Sequence, residues 1–382
     1  MTTRPRAREL PIPSTYWQAA SGPNNAITDV PGVRVAHVTL HEGEGALQRG
    51  QGPVRTGVTM ILPHAGNLFQ SKVTAATHVI NGFGKACGLA QIHELGQIET
   101  PIALTNTLSV WRAADALAQW SIDHNPTIGV STSTVNPVVA ECNDGYLNDV
   151  QGNHLQAEHV IQAIHAAQFQ PDFSPVVEGN VGGGTGMACY GWKGGIGSAG
   201  RPVTLGAQTY TVGALVQANF GRPGQLLFAG HHLPSRRDIF PDPPMLPPIT
   251  PTAVPPGSVV VILATDAPLD ARQLHRLSVR ATAGLARTGS TIDHGSGDFV
   301  IAFSVSRRIP HAPTDANLQA PALIAEAAIM DALLPATVEA VEESVLNALC
   351  AAETLVGRDG HMLHGLPLDM VADQLTQRQI GG

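Results

Sequence analysis

The sequence predicts an α/β fold in which sheets pack on each other and helices lie outside. Segments rich in β-branched residues alternate along the chain with segments that are apolar at helical spacing. No internal repeat interrupts that alternation. Charged residues make up only 14% of the 382 residues, against 43% apolar, with 40 glycines and 29 prolines. Few charges and many small residues suggest a tightly packed, loop-rich interior, with much surface buried between subunits.

The elements follow in order. Residues 1–25 read as an irregular arm. Val33 to Leu40 alternates as a strand does, and Glu42 to Gly52 is a glycine-rich loop. Thr56 to Pro63 is a strand stopped by its proline. Residues 73–100 read as strand, loop and a short helix over about 84–95, and Ile102 to Thr107 as a strand. Trp111 to His124 has Trp111, Ala114, Leu117, Ala118 and Ile122 at helical spacing. Asn136 to Glu141 is a short apolar strand ending on a carboxylate, and Asp144-Gly145 turns the chain. Ala157 to Gln168 is a helix. Two glycine clusters follow, Glu178 to Met187 and Tyr190 to Gly200, before Pro202 to Ala218 alternates as a hairpin would.

Residues 221–256 form a long connection with eight prolines from Pro241 to Pro256. Proline fixes φ and removes a donor, so this reads as an exposed loop. Ser258 to Thr265 is then a buried strand, Pro268 to Gly284 an amphipathic helix and Asp298 to Ser306 a strand. Leu318 to Leu334 and Val338 to Leu355 read as two long helices, the second ended by Gly357.

Several function classes fall away. The net charge of -8 and 4% aromatic content give no footprint for nucleic acid. No apolar run of about 18 residues is present, so no membrane span is expected. Arg4, Arg6 and Arg8 near the start are not followed by the apolar segment of a signal peptide. Cys87, Cys142, Cys189 and Cys350 are scattered without a C-x-x-C pair, as in reduced cytoplasmic proteins. Gly195 to Gly200 fits G-x-G-x-x-G, but it lacks a strand before it and a helix after it, where Arg201-Pro202 stands. Lys85 and Lys193 lack the context of a phosphate-binding loop. His231-His232, His361 and His364 have no metal-ligand spacing, the last two lying in a C-terminal loop. No metal is expected.

Gly257-Ser258 carries the chemistry. A serine hydroxyl needs a base before it attacks. A cut before Ser258 would free an α-amine on the same residue, with a pKa of about 7.7–8, suited to act as that base. Gly257, lacking a Cβ, can take the strained conformation such a cut requires. Further on, Ser296 and Asp298 are separated by one residue and so share a face at the mouth of a strand.

These stretches belong to a wider pattern. It includes Asn25 to Val30, Gly57-Val-Thr with Ile61 to His64, Thr105-Asn-Thr107, and Pro137 to Glu141 with Asp144 to Asp149. It continues through Glu178-Gly-Asn180 with Gly182 to Met187, Ala214 to Asn219, Gly257 to Leu269, Ser296-Gly-Asp298 with Ile301 to Ser304, and Glu342 to Glu353. In this order, over nearly the whole chain, the sequence resembles the L-aminopeptidase/D-esterase and β-aminopeptidase family, self-processing hydrolases with an N-terminal serine nucleophile.

The resemblance implies a four-layer αββα sandwich and a single domain, 1–382, cut between 257 and 258 into segments 1–257 and 258–382. It implies Ser258 as nucleophile, Ser296 and Asp298 as its orienting pair, Asn219 as oxyanion donor and Glu141 as ligand of the substrate's free amine. Some members carry glutamate at the position of Asp298, and some an aromatic residue at that of Asn143, which bears on substrate preference. No cofactor is implied. The implied substrate is a small peptide, amide or ester, and the implied assembly a tetramer of processed protomers. Alternatives are a nylon-type polyamide-oligomer hydrolase, a related acyltransferase and an uncut binding scaffold.

Overall fold

The computed structural model describes residues 4–240, 257–314, 322–323 and 325–380. Two sheets dominate it. The first contains β1 (Arg34–Glu42), β2 (Val54–Leu62), β4 (Ala86–Cys87), β6 (Ile102–Asn106) and β7 (Val138–Cys142), in the order β1-β2-β6-β7-β4. The second contains β3 (Ser71–Gly82), β5 (Gln97–Ile98), β8 (Gly195–Leu205), β9 (Gln208–Asn219), β10 (Ser258–Thr265) and β11 (Gly297–Pro310), in the order β8-β9-β10-β11-β3-β5. A short helix, α1 (Leu89–Leu95), links β4 to β5.

Three apolar layers separate four structural ones. Val38, Val58, Met60 and Val139 from the first sheet pack against α2 (Val110–His124) and α3 (Ala157–Phe169). The inner faces of the two sheets meet through Ile61, Leu104, Ala140, Leu215, Val260, Ile262 and Ile301. Val216, Val259, Val261 and Val300 on the far face of the second sheet pack against α4 (Ala271–Arg287) and α5 (Glu326–Ala351). The period of two along β10 drives this: Val259, Val261 and Leu263 face the helices, while Val260, Ile262 and Ala264 face the other sheet. Each such buried branched side chain is worth about 1.5–3 kcal/mol. The expected αββα sandwich is therefore the observed one. Ser258 shares the parity of Val260, so its side chain points between the sheets.

Several elements differ from expectation. β8 begins at Gly195, so the G-x-G-x-x-G run lies inside a strand. A Cβ on Gly197 would lie 2.0 Å from the Ser344 carbonyl oxygen, so glycine here lets α5 sit directly on the sheet. The two helices expected around Pro335 are one, although residues 318–321 and 324 lie outside those described. Proline costs a helix interior about 3 kcal/mol. Burial of every residue from Glu339 to Cys350 outweighs that loss. On α2 the expected apolar face is shifted: Trp111 and Ile122 are exposed, at 59% and 38%, while Ala114 and Leu117 are buried as expected, together with Val110, Ala113 and Trp120. The last helix, α6 (Leu368–Ile380), was not expected. Nor do His361 and His364 lie in a plain loop; they flank the short strand Met362–Leu363, paired with Leu355–Val356. The proline-rich part of the 221–256 connection, 241–256, lies outside the described residues. Among the described residues no helix is long and apolar enough to cross a membrane, and no group of three or more His, Cys, Asp or Glu could hold a metal ion.

The arm before β1 is held by charge. Glu343, buried on α5, accepts from Arg8 Nε at 2.8 Å and Asn25 Nδ2 at 2.6 Å and pairs with Arg201.

Candidate active site

Ser258 begins β10, opposite Asn219 of antiparallel β9 on one side and Gly297 of parallel β11 on the other. That register, fixed by the apolar alternation of three strands, brings the asparagine amide to the serine. Asn219 Nδ2 donates to Ser258 Oγ at 3.1 Å. From the other sheet, the backbone N–H of Asn143, just beyond β7, points at the same Oγ at 3.3 Å. Two donors from two sheets thus converge on one buried hydroxyl. The orientation of the Asn219 amide is set from behind, where its Oδ1 accepts the Ala188 N–H at 2.8 Å.

The peptide before Ser258 is held as well. The Gly257 carbonyl oxygen accepts the Gly297 N–H at 3.1 Å. Space also accounts for a glycine here. A Cβ there would lie 3.2 Å from the Phe220 Cα and 3.3 Å from Ser296 Oγ.

Ser296 therefore lies beside the Gly257–Ser258 peptide. Its hydroxyl donates to Asp298 Oδ1 at 2.6 Å, as the shared face predicts. Burial pushes the Asp298 carboxyl up to about 6, against the opposing pull of the Ser296 hydrogen bond.

Glu141, at the end of β7, is buried and accepts the Lys85 N–H at 2.9 Å and the Thr107 hydroxyl. Burial raises its pKa, and those two hydrogen bonds with the Lys85 charge oppose the rise. The Asn143 side chain turns back, its Oδ1 accepting the Gly145 N–H at 2.9 Å, so the residue offers Ser258 its backbone.

Phe83, Lys85, Thr107, Glu141, Asn143 and Ser258 line one cleft of about 40 Å³, a fit for a small side chain. The cleft thus combines a serine with two converging donors at one end and a buried carboxylate at the other. Such a pair can hold an amine while a neighbouring carbonyl lies against the hydroxyl. All the residues singled out from the sequence, Glu141, Asn143, Asn219, Gly257, Ser258, Ser296 and Asp298, meet around this cleft and its rear wall. Thr107, Lys85, Ala188 and Gly297 were not singled out for these contacts. Ala188 and Gly297 contribute only backbone N–H groups, which no residue type announces, and Lys85 contributes its N–H as well as its charge. Thr107 did stand within a matched stretch.

Comparison with known proteins identifies the family. The family model described as peptidase family S58 matches residues 25–363. The beta-peptidyl aminopeptidase BapA of Sphingosinicella microcystinivorans is 41% identical over 381 residues, covering 95% of this chain and 90% of that protein. A crystal structure of a Pyrococcus horikoshii OT3 protein superposes with a TM-score of 0.87 at 46% identity, over 98% of this chain and 99% of that one. The L-aminopeptidase D-Ala-esterase/amidase of Ochrobactrum anthropi, described as a variant of the Ntn hydrolase fold, superposes at 0.85 with 37% identity, each chain 99% covered.

Proposed function

The chain belongs to peptidase family S58 and is an aminopeptidase-type hydrolase; from that premise we propose that it cuts itself between Gly257 and Ser258 and then uses Ser258 as an N-terminal nucleophile. The observation that carries this is the placement of Ser258 Oγ under the Asn219 amide and the Asn143 N–H, one residue after a carbonyl polarised by the Gly297 N–H.

In self-cleavage the Ser258 oxygen forms a bond to the Gly257 carbonyl carbon and the Gly257–Ser258 C–N bond breaks. The result is an ester and a free α-amine, and water then releases the Gly257 carboxylate. In turnover the α-amine takes the hydroxyl proton as the oxygen attacks the substrate carbonyl. That proton passes to the leaving amine, and water deacylates with the α-amine again as base. Asn219 donates to the developing oxyanion, a contact worth about 3–4 kcal/mol. Ser296 and Asp298, beside the cut peptide, orient the new amine. Glu141 takes the ammonium of the substrate, which makes the enzyme an aminopeptidase.

The names of its relatives, beta-peptidyl aminopeptidase and L-aminopeptidase D-Ala-esterase/amidase, support short-chain L-α-, β- or D-residues as the substrate class. The small cleft supports the same reading. We extend the reading to a cytoplasmic tetramer of processed protomers; exposed Trp111, Val130 and Phe169 supply apolar surface for such contacts. Intact mass and a denaturing gel of purified protein test the first step. Wild type should give two segments and Ser258→Ala one full-length band; a wild type that stays uncut refutes the reading.

A further inference from the structure

Lys193 stands outside the proposed chemistry, yet it is fully buried. A buried ammonium costs several kcal/mol unless its donors are all taken. Here the three donors have three acceptors: the carbonyl oxygens of Gly194 at 2.7 Å, Met187 at 2.9 Å and Gly184 at 3.2 Å. All three belong to the glycine-rich loop between Gly184 and Gly194, which the Gly194 N–H closes on the Met187 carbonyl at 2.9 Å.

The Met187 carbonyl and the Ala188 N–H are two ends of one peptide group. That carbonyl accepts from Lys193 Nζ, and that N–H donates to Asn219 Oδ1 at 2.8 Å. A trans peptide directs its oxygen and hydrogen to opposite sides, so lysine and asparagine grip the same rigid plane from either side. A hydrogen-bond donor on the oxygen strengthens the opposite N–H as a donor; burial pulls the Lys193 ammonium down to about 7, and the amine donates to the carbonyl in either charge state. The Ala188 bond in turn decides which end of the Asn219 carboxamide faces Ser258. With Oδ1 held, Nδ2 reaches Ser258 Oγ at 3.1 Å. Without that hold, the amide can turn its oxygen toward the site, where it repels an oxyanion.

We propose that Lys193 is a positioning residue for the oxyanion donor, acting through the Met187–Ala188 peptide on Asn219; this rests on the reading of Asn219 as that donor. Its effect belongs to the transition state and so appears in kcat rather than KM.

The test uses full-chain protein and a free-amine p-nitroanilide, with turnover normalised to cut chain, for Lys193→Met, Asn219→Ala and the double variant. Lys193→Met is expected to lower kcat about tenfold with KM within about twofold, and to cause no further loss in the Asn219→Ala background. An unchanged kcat in Lys193→Met, or losses that multiply in the double variant, overturns the role of Lys193 alone. An unchanged kcat in Asn219→Ala overturns the Asn219 reading and this inference with it. Should Lys193→Met fail to fold by circular dichroism, Lys193→Gln, whose shorter amide offers two N–H groups and no charge, takes its place with the same outcomes.

Discussion

Glu141→Gln separates amine recognition from hydrolysis. The glutamate is buried, with its two oxygens taken by the Lys85 N–H and the Thr107 hydroxyl. Glutamine fills the same volume. Its Oε1 can keep the Lys85 N–H, and the Thr107 hydroxyl can rotate to accept from Nε2, so the local fold survives. What disappears is one negative charge. Across about 4 Å at an effective dielectric of 20, a unit pair is worth about 4 kcal/mol. The amine sheds part of its hydration to reach the carboxylate, leaving about 2.7 kcal/mol, or a factor of about 100. The assay is kcat/KM on the p-nitroanilides of L-Ala and β-Ala and on their N-acetylated forms. The free amines should lose about 100-fold and the acetylated forms should keep the wild-type rate. An equal loss on both, or wild-type activity on the acetylated substrate equal to that on the free amine, refutes Glu141 as the amine ligand. The second outcome would favour a polyamide-oligomer hydrolase.

Two further results are expected. Asp298 titrates at about 6 in the fold against an ordinary 3.8, so the native state binds its proton more tightly. Its contribution to stability is therefore present below about pH 3.8 and lost as pH rises through about 6. The ionised form is the acceptor for Ser296, so kcat should rise through pH 6; Asp298→Asn should remove that limb, and an unchanged profile counts against the pair. Glu343→Ala leaves Arg201 and Arg8 without their shared carboxylate, with Glu339 the remaining carboxylate near Arg201, at 3.7 Å, among the described residues. Denaturant unfolding should show a loss of about 3 kcal/mol, and a change under about 1 kcal/mol would show that the Glu343 pairs do not hold the arm.

The legible part of this molecule is the part in which side-chain type decides geometry. Ser258 to Thr265 reads as a strand because every residue in it except Leu263 is β-branched or small, and the structure begins and ends that strand at the same residues. The Ser296–Asp298 hydrogen bond follows from a period of two. Glu141 at a strand end was equally visible. The hidden part is carried by backbone groups and by tertiary override. Ala188 and Gly297 act through N–H groups that any non-proline residue possesses, and so does Lys85 in its hydrogen bond to Glu141. Pro335 reads as a helix end because local cost is visible in sequence and the burial that offsets it is not. Trp111 misleads similarly: it faces outward, while Trp120 and the alanines Ala113, Ala114 and Ala116 of the same helix are buried.

The partners of Ser258 are widely spaced along the chain. Asn143 lies 115 residues before it and Asn219 39 before it, while the Gly297 that holds the Gly257 carbonyl comes later in the sequence. None of these groups is in place until both sheets have closed and the strand after Ser296 has been laid down. The proposed self-cleavage would then act as a clock that starts only when folding is complete, and the uncut fraction in a fresh preparation would fall as the chain reaches its native sheet order.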